Sequence, residues 1–147
     1  MAQSLSLAQL RQLRSPFYRV AVKALIFDAQ QRLAVVINED GLTELPGGGW
    51  EKDESMSDCV AREVLEETSG KVGRVGAVKL VVRGTSRHGW PVVRLVVPVE
   101  LQDTTSLKPG NDMQAVRFLT KEEFMRQDFD TTDRAIQAYA DTIWSDK

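Results

Sequence analysis

The chain has 147 residues, 42% of them hydrophobic and 27% charged, with a formal net charge of −2. That length and balance suit one globular domain with a real hydrophobic core. The faintly acidic charge argues against a broad nucleic-acid or anionic-membrane surface, and it leaves room for small anionic substrates held by a few local cations and metals.

The one cysteine, Cys59, excludes an internal disulfide and a zinc site built from several thiolates. The one histidine, His88, removes most His-based metal and triad chemistry. A metal site here must therefore use oxygen ligands, which suit magnesium, calcium or manganese. No apolar run reaches membrane-spanning length. Residues 1–13 lack a charged start followed by an apolar signal core. A cytoplasmic location with no membrane partner is expected.

In chain order, residues 4–14 place Leu7, Leu10 and Leu13 near helical spacing, which predicts a short amphipathic helix ended by Pro16. Residues 18–28 and 32–38 are β-branched-rich runs around Asp28-Ala29-Gln30-Gln31, a hairpin pattern. Residues 43–45 read as a short strand leading into Pro46-Gly47-Gly48-Gly49, a stretch expected to be irregular. Residues 55–68 form the strongest helix, with Ser55 as N-cap and Asp58 near the positive end of the dipole. Ala61, Val64, Leu65 and Thr68 are expected to face the core, and Ser69-Gly70 to end the helix.

Two strands, 75–83 and 92–101, follow, joined by residues 84–91, and the second is expected to have an exposed edge able to pair in a homodimer. A last strand covers 114–119. Thr120 with Glu123 makes a capping box, and 132–144 reads as one terminal amphipathic helix with Tyr139 and Trp144 in the core. The expectation is one α/β domain over residues 1–147, with an N-terminal helix at about 4–14 and a core at about 17–144, its mixed sheet covered by helices on both sides.

Glu63, Glu66 and Glu67 lie at i, i+3 and i+4, neighbours on one helix face roughly 5–6 Å apart at Cβ. Like charges so placed repel, and Arg62 relieves part of this. A hard divalent cation turns such a face into a binding site. The glycines before the helix allow close backbone approach, so carbonyls can ligate a metal and amides can face phosphate oxygens. Either feature alone is commonly just a solvated helix face or a turn. Together they suggest metal-assisted attack on a phosphate chain.

The combination resembles the Nudix (MutT-like) box, whose pattern is G, five residues, E, seven residues, R-E-U-x-E-E-x-G-U, with U a bulky aliphatic. Gly48, Glu54, Arg62, Glu63, Val64, Glu66 and Glu67 match it in spacing. Ser69 and Gly70 depart from the closing G-U, with Val72 the nearest aliphatic, and Asp53 stands where relatives often have glycine. The resemblance implies an α/β/α sandwich with a mixed sheet. It implies a hydrolase that cleaves the pyrophosphate of a nucleoside diphosphate linked to another moiety, with Mg2+ as cofactor and Mn2+ as a substitute. Glu63, Glu66, Glu67 and the Gly47 carbonyl would hold the metal, Arg62 would position the carboxylates, and one of these glutamates, or an acid from outside the box, would serve as general base. Gly48, Gly49 and Glu51 would face substrate. Arg83 and Arg87, with Trp90, make either a substrate-gripping loop or a solvated hairpin tip. Asp112 sits near where relatives carry an extra acid, but in Pro109-Gly110-Asn111-Asp112 it reads first as a turn residue. Cys59 reads as a packing residue and His88 as solvated. Two alternatives stay open: a nucleotide-sensing module without catalysis, and a hydrolase of capped RNA ends, for which the net charge promises no basic groove.

Overall fold

A computed structural model describes residues 4–12, 17–86 and 88–147. Helix α1 (Leu7–Arg11) starts at Ser6, whose hydroxyl accepts from the Gln9 amide while the Gln9 side chain accepts from the Ser6 amide. Leu7 is exposed, and Leu13 and Pro16, expected to continue and end this helix, lie outside the described residues.

Strands β1 (Arg19–Leu25) and β2 (Leu33–Ile37) flank the expected hairpin turn, held by the Asp28 amide on Arg32 and the Gln31 amide on Asp28. Beyond the single Phe27–Leu33 bridge, however, the two strands separate into different sheets. β1 joins β4 (Gly47–Gly49), β7 (Pro91–Leu101), β5 (Val72–Val75) and β6 (Leu80–Thr85). β2 joins β3 (Thr43–Glu44) and β8 (Ala115–Leu119). β1 runs parallel to β7 and antiparallel to β4, so the sheet is mixed.

Three strand expectations need correction. The glycine run is regular structure: Gly47–Gly49 pairs with Lys23, Val22 and Ala21 of β1. The strand expected over 75–83 is two strands, β5 and β6. The Gly76 amide still donates to the Pro98 carbonyl, but Pro98 has no N–H to return, which interrupts the ladder. β7 has no exposed edge for dimer pairing, because β1 lies along one side and β5 and β6 along the other.

Helix α2 (Met56–Thr68) packs Cys59, Val60 and Val64 against Val22, Ala24, Ile26, Val97 and Val99. Leu65, expected inside, is 51% exposed, and Ala61 is half-buried. The buried face is rotated toward the side that carries Cys59 and Val60. On the other face of the β1 sheet, Leu25, Val82 and Val96 meet Leu33, Val35 and Leu119, covered by Phe124, Phe129, Ile136 and Ile143.

Helix α3 (Lys121–Met125) has the expected capping box of Thr120 and Glu123. The terminal helix is broken into α4 (Arg134–Gln137) and α5 (Ala140–Ile143). The break falls between two anchors. The Gln137 amide group donates to the Phe124, Met125 and Gln127 carbonyls, and Trp144 packs edge-on against Phe27 and Phe124. Trp144 is thus a core contact as expected, whereas Tyr139 is exposed. With α2 on one face and α3 to α5 on the other, the mixed α/β architecture agrees with the sequence.

Candidate active site

The site is built where α2 crosses the glycine strand β4. Gly47 has φ +141°, and a Cβ there would lie 2.1 Å from the Val22 carbonyl oxygen, so glycine is what allows this strand to lie against β1. A Cβ at Gly48 would lie 2.6 Å from the Glu63 carboxyl carbon. The second glycine therefore makes room for a carboxylate directly on the loop backbone.

Arg62 organises the acids. Its Nη2 and Nε donate to Glu54 at 2.8 and 3.1 Å, Nη1 donates to Glu63 Oε1 at 2.8 Å, and Nη2 donates to the Gly49 carbonyl at 3.2 Å. Glu66 Oε2 lies 3.6 Å from Nη1 and is the most exposed of these acids. The two-pronged Arg62 contact, with the Glu51 amide, holds Glu54 down at about 2, well below the usual carboxylate range. Glu54 thus ties the loop to the helix. Glu67 turns inward, 6% exposed, and accepts from the Gly47 amide at 3.0 Å. Burial raises its pKa, against the opposing pull of Lys23 and the Gly47 N–H. Cys59 is buried beside the Gly48 and Gly49 carbonyls. Burial and then Glu54 push its thiol up to about 12, so it packs rather than reacts, as expected.

These donors are hard oxygens of the kind a magnesium ion takes, and Arg62 already shows that the acids gather around positive charge. The residues fit a divalent ion in kind. They are not drawn into a ready cage: among the described residues no three His, Cys, Asp or Glu groups are close enough to hold a metal. The Gly47 carbonyl, expected as a ligand, accepts from Lys23 Nζ at 3.4 Å.

The other expected residues are less central. Glu51 is exposed on the loop and borders a cleft shared with Tyr18, Arg19 and Trp50. Arg83 is exposed and reaches the Tyr18 hydroxyl at 3.4 Å. Arg87 lies outside the described residues. Asp112 is exposed in the turn closed by the Met113 amide on Gly110. His88 is exposed.

Of the three departing positions, the two that replace a glycine keep a glycine-like backbone. Asp53 has φ 71° and Ser69 has φ 60°. Gly70 is needed for closeness instead, since a Cβ there would lie 2.9–3.0 Å from Thr68, Leu101 and Leu107. The last carbonyls of α2 are satisfied by the Lys108 and Gly110 amides.

Sequence reasoning missed a buried charged group behind the glycine strand. Lys23 Nζ donates to the Leu45 carbonyl at 3.1 Å and lies 3.2 Å from Asp133 and 3.8 Å from Glu44. Arg94 Nε lies 3.3 Å from Asp133 Oδ1, both residues being at most 1% exposed. Asp133 also accepts from the Leu45 amide. Burial lowers the Lys23 pKa, but Asp133, Glu44 and Glu67 outweigh it and the net direction is up. Burial lowers the Arg94 pKa, with Asp133 opposing. The signal was present: Lys23 and Arg94 stand on β1 and β7 at the same parity as the buried Leu25 and Val96. A cavity of about 180 Å3 opens between these residues, Arg19, Ser86, Thr132 and the three glycines. A larger cleft of about 550 Å3 near Phe27, Lys79 and Lys147 contains none of the expected residues.

The family model for the NUDIX domain matches residues 17–140. A NUDIX hydrolase from Nitrosomonas europaea superposes with a TM-score of 0.70 at 20% identity, covering 85% of this chain and 88% of that one. An ADP-ribose pyrophosphatase from Streptococcus suis gives 0.65 at 22%, covering 89% and 93%. The NUDIX domain of Shewanella oneidensis NrtR complexed with ADP ribose gives 0.67 at 19%, covering 93% and 97%. Among curated proteins, none matches the sequence. No described helix is long and apolar enough to cross a membrane.

Proposed function

Since the chain belongs to the Nudix family and is a hydrolase of pyrophosphate bonds, we propose that it cleaves, with Mg2+ or Mn2+ as a substitute, the diphosphate of a nucleoside diphosphate linked to another moiety. One observation carries this reading: Arg62 gathers Glu54, Glu63 and Glu66 beside a glycine strand whose first amide holds Glu67. The similarity to an ADP-ribose pyrophosphatase and to a NUDIX domain complexed with ADP ribose supports a nucleotide diphosphate as the substrate class.

In this reading Glu63, Glu66 and Glu67 would hold the divalent ion, with the Gly47 carbonyl as a further ligand in place of its contact with Lys23. When bound, the ion would supply neutralisation of phosphate charge and activation of water. Arg62 keeps the carboxylates aimed, and Glu54 keeps Arg62 in place. Gly48 and Gly49 let the diphosphate approach the backbone closely, with Glu51 and Arg83 at the substrate's outer edge. One of these glutamates, or an acid from outside the box, would accept the proton of the attacking water.

The test is a panel of nucleoside diphosphate compounds with Mg2+, assayed with wild type and Glu66→Gln. Turnover of at least one compound by wild type, lost in the variant, is expected. No turnover of any, or equal turnover by Glu66→Gln, sinks the proposal.

A further inference from the structure

The glycine strand β4 lies at one edge of its sheet, paired to β1 on its inner side. The Trp50 amide donates to the Val20 carbonyl and the Ala24 amide to the Pro46 carbonyl. At the alternate positions of such a ladder, Gly47 and Gly49, amide and carbonyl groups point outward at the open edge. There the Gly47 amide holds Glu67 and the Gly49 carbonyl accepts from Arg62. The Gly49 amide shares that direction. Side-chain directions alternate along the strand. The Cβ direction of Gly48 meets Glu63 on one face. That of Gly49 meets Arg19 on the other, where a Cβ would lie 3.1 Å from Nη2. Carboxylates and a guanidinium thus flank β4 from opposite faces, at consecutive residues about 3.8 Å apart.

Charge decides what belongs between them. The cavity of about 180 Å3 on the Arg19 face is also lined by Lys23 and Arg94, but those two are matched by Glu44 and Asp133. Arg62, the other guanidinium at β4, is engaged by Glu54 and Glu63. Arg19 is exposed, and among the described residues it has no ion pair or hydrogen bond. It is therefore the surplus cation of this cavity, and Ala21 and Gly49 beside it are small enough to leave its guanidinium open. The cavity is smaller than the roughly 300–1,000 Å3 of a whole-ligand pocket, which suits a single anionic group of a larger substrate.

We propose that Arg19 is a substrate-binding residue: with the Gly49 amide it holds the phosphate next to the one at the carboxylates, so that the diphosphate is gripped across the open edge of β4 from both faces. A planar fork of N–H donors matches two oxygens of one phosphate, and this contact needs no metal. The inference rests on the diphosphate reading above.

The experiment measures dissociation constants of methylenediphosphonate, whose P–C–P link resists hydrolysis, by calorimetry in Mg2+ and in EDTA, so that it does not depend on turnover. Arg19→Gln should raise the constant at least about tenfold, the loss expected of charge-assisted hydrogen bonds. Arg19→Lys keeps the charge without the fork and should fall between. Both variants should keep the wild-type Tm, because Arg19 is exposed and holds no ion pair among the described residues. Lys52→Gln removes an exposed cation from the neighbouring cleft and should leave the constant within about twofold, which separates a site from general attraction. Wild-type affinity in Arg19→Gln, an equal loss in Lys52→Gln, or no binding by wild type in either buffer overturns the inference. An Arg19-dependent affinity that is the same in Mg2+ and in EDTA would uphold it and count against the proposed metal site alone.

Discussion

Asp28 shows how much one side chain organises locally. Its carboxylate accepts from the Gln30 and Arg32 amides and from the Arg32 guanidinium at 2.7–3.0 Å. Burial alone would raise its pKa, but these donors outweigh it and the net direction is down. A carboxyl so lowered contributes stability above its unfolded pKa of about 3.9, lost as pH falls through the lower folded value. Asp28→Asn should therefore cost about 1–2 kcal/mol at neutral pH, and its deficit against wild type should shrink in acid. Urea melts at pH 7 and pH 2.5 check this. Arg62 is the corresponding residue at the site. A lysine cannot bridge Glu54, Glu63 and the Gly49 carbonyl with one ammonium, so Arg62→Lys should lower Mg2+ affinity or kcat about 10–100-fold, as loss of an orienting partner does. A magnesium titration of activity measures it, and an unchanged profile would remove Arg62 from the positioning role.

At the scale of elements, the ends of α2 carry the information. Asp53 and Ser69 occupy left-handed backbone where glycine has no penalty. Ser69→Gly and Asp53→Gly should each stabilise by up to about 1 kcal/mol, serine more than aspartate, because Asp tolerates this region better. A denaturant series shows the gain as a rise in midpoint at constant slope. Helix α2 itself was legible in the sequence, since its cap, its period and the Arg62–Glu67 run are all local. Which of its faces goes inside was less so. Leu65 looks like a core residue by type, yet the carboxylate side has to face β4, and that turns Leu65 outward. Strand partners were the least legible. Nothing near Gly47 announces that it will pair with Lys23, twenty-four residues back, and a triple-glycine run reads locally as a turn. The break between β5 and β6 follows from Pro98, which meets them only in the folded sheet.

At the scale of the molecule, the space between the two sheets is divided. Its lower part is apolar, around Leu25, Val96, Phe124 and Ile143, and its upper part holds Lys23, Arg94, Asp133 and Glu44, which join the β1 sheet to the β3 strand and to α4. Asp133 gives up capping α4 to do this, since its side chain makes no cap bond there and accepts from the Leu45 amide instead. Burying ions is rarely stabilising by itself, but removing one partner leaves the others uncompensated. Lys23→Met strands Asp133 and the Leu45 carbonyl and should cost about 3–5 kcal/mol, about 10 °C in Tm for a chain of this size. Asp133→Asn should cost a comparable amount by leaving Lys23 and Arg94 facing each other. Because both variants break the same contact, the double variant should cost less than the sum by about 0.5–3 kcal/mol. Thermal melts of the four proteins close that cycle. Strict additivity would mean that Lys23 and Asp133 act separately, and that the two sheets are held at this end by backbone and apolar contacts instead.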